Sequence, residues 1–296
     1  MHFYALFPAT LALGLSATAC LPDDTRDPPG ELVVTLSADD SLRSGIASTD
    51  DGWAVSYSKF LLILGDADLS GPDCDAYSES HYNRIFELTH ESPQRVSVLY
   101  GLGQCHFGFR IAPPAWDTIL GDGVSEDDEA WLRTPGSDAH ATEAGVSVRV
   151  RGSASKLGVT KSFDWSFRRF ISYEDCALPE DAASGGGVSL RGNQAGQVDI
   201  LVRGEALFGG AALEPPSPAR FEPFAAADGE HGDGDGAITL DELQAAPLPP
   251  DASAGPMIQS LGDRIYLQIL PELAKFQGTG KCQVRSNAER PDFGGP

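Results

Sequence analysis

Val146-Ser147-Val148-Arg149-Val150-Arg151 and, further on, Phe163-Asp164-Trp165-Ser166-Phe167-Arg168 are the stretches that decide the fold. In both, apolar and polar residues alternate. Successive side chains on a strand point to opposite faces, so this period of two describes strands with one face buried and one wet. The pattern continues on either side. Leu32, Val34 and Leu36 share one face of an opening strand, with Val33 and Thr35 on the other. Val96, Val98 and Tyr100 alternate with Ser97 and Leu99, and Cys105, Phe107, Phe109 and Ile111 with His106, Gly108 and Arg110. Val198, Ile200 and Val202 complete the set. Trp53 to Leu69 is long and aliphatic enough for a central strand bent near Gly65. Strands of this kind build antiparallel sheets with a solvated side, so the chain is predicted to be mainly β, with an antiparallel β-sandwich over residues 31–205.

Pro113 to Gly145 is a loop-rich excursion between these strands. Ser125 followed by Glu126, Asp127, Asp128 and Glu129 predicts a capped helix, with Trp131 and Leu132 packing inward. After Arg203 the character turns helical, and residues 206–296 read as a small C-terminal helical subdomain. Arg220 to Ala227 and Leu240 to Ala246 are helices on either side of an acidic loop, the second stopped by Pro247. Met257, Leu261, Ile265, Ile269 and Leu273 then recur at helical spacing, giving an amphipathic helix that Pro271 kinks or ends.

The loop itself runs His231-Gly232-Asp233-Gly234-Asp235-Gly236-Ala237-Ile238-Thr239-Leu240-Asp241-Glu242. With His231 as position one, Asp233 and Asp235 fall at three and five, Gly236 at six, Ile238 at eight, Thr239 at nine and Glu242 at twelve. Ca²⁺ is a hard cation that takes oxygen ligands, which Asp233, Asp235 and both oxygens of Glu242 would supply. Gly236 permits the turn that swings the Ala237 carbonyl inward, Ile238 pins the loop to the core, and Thr239 holds a bridging water. The spacing resembles an EF-hand. Position one is a nitrogen donor, His231, poorly suited to calcium; Asp228, reached by a loop lengthened through Gly229-Glu230-His231, would restore the carboxylate. The site residues are therefore Asp228, His231, Asp233, Asp235, Ala237, Thr239 and Glu242 within an EF-hand-like loop spanning 228–242, with Ca²⁺ as cofactor. The plainer reading of the same residues is an acidic, Gly-rich surface turn.

At the N-terminus Phe3 to Leu15 is an apolar run too short for a membrane span, ending in Ser16-Ala17-Thr18-Ala19-Cys20. Small residues before a cysteine resemble the lipobox of bacterial lipoproteins. That resemblance makes residues 1–19 a signal peptide, Cys20 a lipidated N-terminus and residues 20–30 a tether, with Leu21 pointing to the outer membrane. A plain secretory signal cleaved near Ala19 is the other reading. The remaining cysteines, Cys74, Cys105, Cys176 and Cys282, form an even set suited to disulfides in an oxidising compartment. Of the three pairings they permit, Cys74–Cys105 and Cys176–Cys282 are favoured: the first closes the acidic loop after the long strand, the second staples the C-terminal tail to the sheet.

Forty-three Asp and Glu against 21 Lys and Arg give a net charge of -22, which argues against nucleic acid and against docking on anionic lipid. Ser153-Ala154-Ser155-Lys156 spells S-x-x-K without its companion S-D-N and K-T-G elements, and neither G-x-S-x-G nor H-E-x-x-H occurs. Taken whole, the chain resembles a set of bacterial lipoproteins in which a β domain precedes one EF-hand-like loop and a terminal helix ending in Cys. Trp53 to Leu69, Phe163 to Phe167 with Tyr173 and Cys176, Leu207-Phe208, the loop and Cys282 carry that likeness. Trp53-Ala54-Val55-Ser56-Tyr57-Ser58-Lys59-Phe60 is similar to the periplasmic MbnP-type proteins, some of which bind copper. The expectation is a monomeric, non-catalytic, membrane-anchored calcium-binding lipoprotein outside the cytoplasm, its protein or glycan partner unnamed. The alternative is a periplasmic copper, zinc or small-ligand carrier using His81, His90 and His106.

Overall fold

Alternation in the sequence becomes burial in the structure. The computed structural model describes residues 28–286 apart from 79, 91–92, 139, 180–186, 210–216 and 250–256. The predicted signal peptide, Cys20 and most of the tether lie outside the described residues. Strand β1 (Gly30–Ala38) is followed by α1 (Asp40–Ser44), β2 (Ala54–Ser70), β3 (Cys74–Ala76), β4 (Asn83–Glu87) and β5 (Gln94–Ile111). Next come β6 (Ile119–Leu120), α2 (Glu126–Leu132), β7 (Val148–Lys156), β8 (Val159–Phe167) and β9 (Ile171–Ala177). Then follow β10 (Val188–Leu190), β11 (Ala195–Val202), α3 (Glu222–His231), β12 (Ala237–Ile238) and α4 (Leu240–Ala245). The last elements are α5 (Leu261–Arg264), β13 (Ala274–Phe276) and β14 (Lys281–Ser286). The chain is mainly β, 45% strand and 19% helix.

The strands form one large curled sheet whose main path runs β12-β8-β7-β2-β5-β1-β11-β13. Strand β5 makes the curl. Its first part pairs with β1, and His106 to Ile111 pair with β2 on one side, Phe109 excepted, and from Phe107 with β9 on the other. Gly103 sits between the two parts at φ 96°, where a Cβ would meet the Asp73 carbonyl oxygen at 2.1 Å, so the bend requires glycine. The sheet is mixed, which corrects the antiparallel expectation. β1 runs parallel to β11 from Glu31↔Ala195 to Ala38↔Val202, and β4–β6 and β12–β8 are also parallel.

Strand β2 is buried on both sides. Phe60, Leu62 and Leu64 belong to the main core, while Leu61 and Ile63 pack with Ile85, Leu132 and Val146 beneath the 113–145 excursion. A strand covered on both faces needs no alternation, which explains its unbroken aliphatic run. The predicted bend is present: the register shifts between Gly65 and Asp68, and Asp66 has φ 46°.

Three sequence expectations change. In β5 the inward residues are Ser97 and Leu99, with Tyr100 40% exposed, because a register shift opposite Val34/Thr35 leaves Val96 unpaired and flips the faces beyond it. Helix α2 is capped by Ser125 as predicted and buries Leu132, but Trp131 lies outward over Arg149. Residues after 205 are not purely helical, since they supply β12, β13 and β14 to the sheet. Their amphipathic helix is α5 continued by a π turn over Ile265–Ile269 and ended by a 3-10 turn at Leu270–Glu272 around Pro271. Leu261, Ile265, Ile269 and Leu273 are buried; Met257 is exposed. Both favoured disulfides, Cys74–Cys105 and Cys176–Cys282, are present.

Candidate metal centre

Helix α3 is held by aromatic packing at its start. Phe221 and Phe224 meet Phe208 at centroid distances of 5.1 and 5.3 Å, and Trp165 lies 6.0 Å from Phe224. Beside them Glu222 accepts hydrogen bonds from Lys156 Nζ at 2.5 Å and Trp53 Nε1 at 2.9 Å. Those bonds, that from Lys156 first, hold its carboxyl below the usual range. The helix is thereby tied at its start to Lys156 at the end of β7 and, further along, through Asp228 to Lys161 of β8.

Beyond α3 the chain turns through Gly234 (φ 71°) and Gly236 (φ 92°) into β12. Ala237 and Ile238 pair with Ser162 and Phe163 of β8. Ile238 is buried, and its carbonyl accepts the Trp165 indole N–H at 2.8 Å. Ile238 therefore pins the loop to the core at the position the spacing indicates. Asp228, Asp233 and Asp235 converge so that one carboxylate oxygen from each lies within 4.8 Å of the others. Backbone amides shape the turn: Asp235 N donates to Asp233 Oδ1 at 3.2 Å, Ala237 N to Asp235 Oδ1 at 2.7 Å, and Gly236 N to Asp228 Oδ1 at 3.3 Å.

Neither His231 nor Glu242 joins this group. His231 is the exposed last residue of α3, so Asp228 and not His231 brings the third carboxylate. Glu242 is buried. Its Oε2 accepts the Thr239 N–H at 2.7 Å, while Thr239 Oγ1 accepts the Glu242 N–H at 3.2 Å. Thr239 and Glu242 thus form the capping box of α4, a use of T-x-x-E that competes with metal ligation. The other oxygen of Glu242 faces Gly232, where a Cβ would meet it at 1.7 Å.

Sequence reasoning missed Lys161. Its ammonium, on β8, is paired with Asp228 Oδ2, and Asp228 is wholly buried. A buried carboxylate needs a partner, and lysine supplies one. No local signal links residues so far apart. The donor set suits a hard divalent cation in kind, with the remaining oxygens of a six- to eight-coordinate shell left to backbone and water.

The histidines do not assemble. His90 pairs with Glu87 and His106 with Asp175 at 2.6 Å, and among the described residues no metal-sized group includes His81, His90 or His106. Ser153 and Lys156 both lie on β7, a strand and not a helix start. No protein-family model, curated protein or solved structure matches the chain.

Proposed function

We propose that the protein is a non-catalytic, membrane-anchored module outside the cytoplasm that binds Ca²⁺ in the loop between α3 and α4. The observation that carries this reading is the convergence of Asp228, Asp233 and Asp235 on a Gly-rich turn whose Ile238 is buried in register. Calcium would join the end of α3 to the start of β12 and order the C-terminal segment against the sheet. We read the curled sheet as a sandwich that this segment closes; the core cluster shared by β1, β2, β8, α3 and α4 supports that view. The two disulfides suit an oxidising compartment. Among the described residues no helix is long and apolar enough to cross a membrane, and the lipid expected on Cys20 would supply the anchor.

Calorimetric titration with Ca²⁺, using Mg²⁺ for comparison, tests the loop. Saturable calcium binding abolished by Asp233→Asn with Asp235→Asn, and weakened by Glu242→Gln, is the expected result. No heat at millimolar calcium would reduce the loop to a structural turn. The anchor is tested separately: Cys20→Ala should shift the expressed chain from the membrane fraction to the soluble one.

A further inference from the structure

Beside the acidic loop, β2, β7 and β8 present an outward face whose polar side chains stand in rows. Ser56, Ser153 and Ser162 are neighbours in register across the three strands, with Ser56 Oγ 3.1 Å from Ser153 Oγ. In the next row Arg151 stands opposite Asp164, and beyond it Arg149 stands opposite Ser166. Asp164 accepts from Arg149 Nε and Nη2 at 3.0 and 2.9 Å and from Arg151 Nε and Nη2 at 3.0 and 2.7 Å. Burial pushes its carboxyl up, but the two guanidinium groups outweigh that and hold it below the usual range. Trp131 lies over the Arg149 guanidinium at 4.0 Å, donates its indole N–H to Ser166 Oγ at 3.3 Å and remains 46% exposed. Ser56, Arg151, Ser153, Asp164, Ser166 and Arg168, with Ala237 to Asp241 beside β8, line an open groove of about 710 Å³; Arg149 and Trp131 stand outside that lining, Trp131 reaching it through Ser166.

We propose that this groove binds a neutral oligosaccharide laid across the three strands. Its arginines are already matched by carboxylates, Arg151 by Asp164 and Arg168 by Asp138 at 3.5 Å, so a charged ligand gains no unpaired counter-charge from them. A polyol gains much from the same surface. The ion pairs offer charge-assisted donors and acceptors, the serines offer hydroxyls of either sense, and the indole offers an amphipathic ring beside them. Polyanionic glycans are disfavoured by a chain of net charge -22. An added peptide strand would pair along a sheet edge, whereas the row Ser56, Ser153, Ser162 crosses three strands already paired to one another and spans about 10 Å. The volume is that of a small-ligand site.

Titration of the purified chain with maltohexaose, cellohexaose and chitohexaose, each to about 10 mM, followed by calorimetry, tests this. The expected result is saturable binding of at least one of them. Asp164→Asn and Trp131→Ala should each weaken it at least about tenfold, the worth of a charge-assisted hydrogen bond or a lost ring contact. Trp131→Phe, which keeps a ring, should retain most of it. Melting curves of the variants separate loss of contact from loss of fold, and Asp164→Asn, nearly isosteric, serves if Trp131→Ala does not fold. Absence of saturation with all three sugars overturns the proposal. So does sugar binding indifferent to both substitutions, or retention of peptides from a random hexapeptide library in place of sugar.

Discussion

At the scale of single residues, Lys161 sets the terms on which a cation could enter. Its ammonium holds the buried Asp228 carboxylate, and that carboxylate belongs to the acidic group. A divalent ion taking Asp228 through Oδ2 displaces an intramolecular cation, so affinity by that route is lowered by whatever the ion pair contributes. Removing one partner of a buried pair costs roughly 3–5 kcal/mol because the other charge is left uncompensated. Lys161→Met should therefore lower the melting temperature in chelator, and millimolar calcium should restore more stability to the variant than it adds to the wild-type chain, since ligand binding to the folded state stabilises by mass action. Differential scanning calorimetry with and without calcium measures both. A variant that loses stability and regains none with calcium would detach Asp228 from any cation site and leave Lys161–Asp228 as a purely structural clamp.

Asp263 shows how one side chain can organise elements. It accepts from Gln259 N at 2.8 Å and Ser260 N at 3.0 Å, closing the cap of α5, from Gln244 Nε2 of α4 at 2.8 Å, and it meets His140 Nε2 of the excursion at 2.6 Å. Burial alone would raise its pKa, but these donors outweigh burial and hold it well below the carboxylate range. A carboxyl depressed in the folded state contributes stability above its unfolded pKa of about 3.9 and loses it as pH falls toward the folded value. Asp263→Asn should thus cost roughly 1.5–3 kcal/mol near neutrality, the worth of hydrogen bonds to a charged group, and the gap to wild type should close as pH drops below about 4. Urea unfolding at pH 7 and pH 3 checks it; an equal gap at both would show that the charge is irrelevant. The Ser125 cap of α2 was readable, as were the faces of β1, β8 and β11, because capping and alternation are local. What escaped was non-local. The residue that flips β5 is extra only in relation to Val34/Thr35 on β1, and the parallel β1–β11 pairing joins residues far apart in the chain. At the loop the spacing of Asp233 and Asp235 was legible, whereas Thr239-x-x-Glu242 carried two meanings, and the fold uses it as a cap.

Across the whole molecule the two disulfides fasten different things. Cys74–Cys105 joins β3 to β5 near the Gly103 bend across a sequence separation of 31, while Cys176–Cys282 joins β9 to the terminal β14 across 106. Strand β14 buries little, its residues alternating exposed and half-buried, so its attachment rests on pairing with β9 and on this bond. In the chain-entropy model the shorter loop contributes about 4 kcal/mol and the longer about 5 kcal/mol. Cys105 and Cys176 are both fully buried, so replacing either pair by serine incurs a similar packing penalty, and the difference between the two double variants isolates loop length. Cys176→Ser with Cys282→Ser should melt below Cys74→Ser with Cys105→Ser by roughly 2–4 °C, given the per-kcal shift for a domain of this size. Scanning calorimetry of both variants, with thiol titration of the wild type under reductant, decides it. Equal melting would mean that β14 frays before the global transition, so that its bond adds nothing to the cooperative unit; unchanged melting with four free thiols would show that neither bond contributes to holding the sheet.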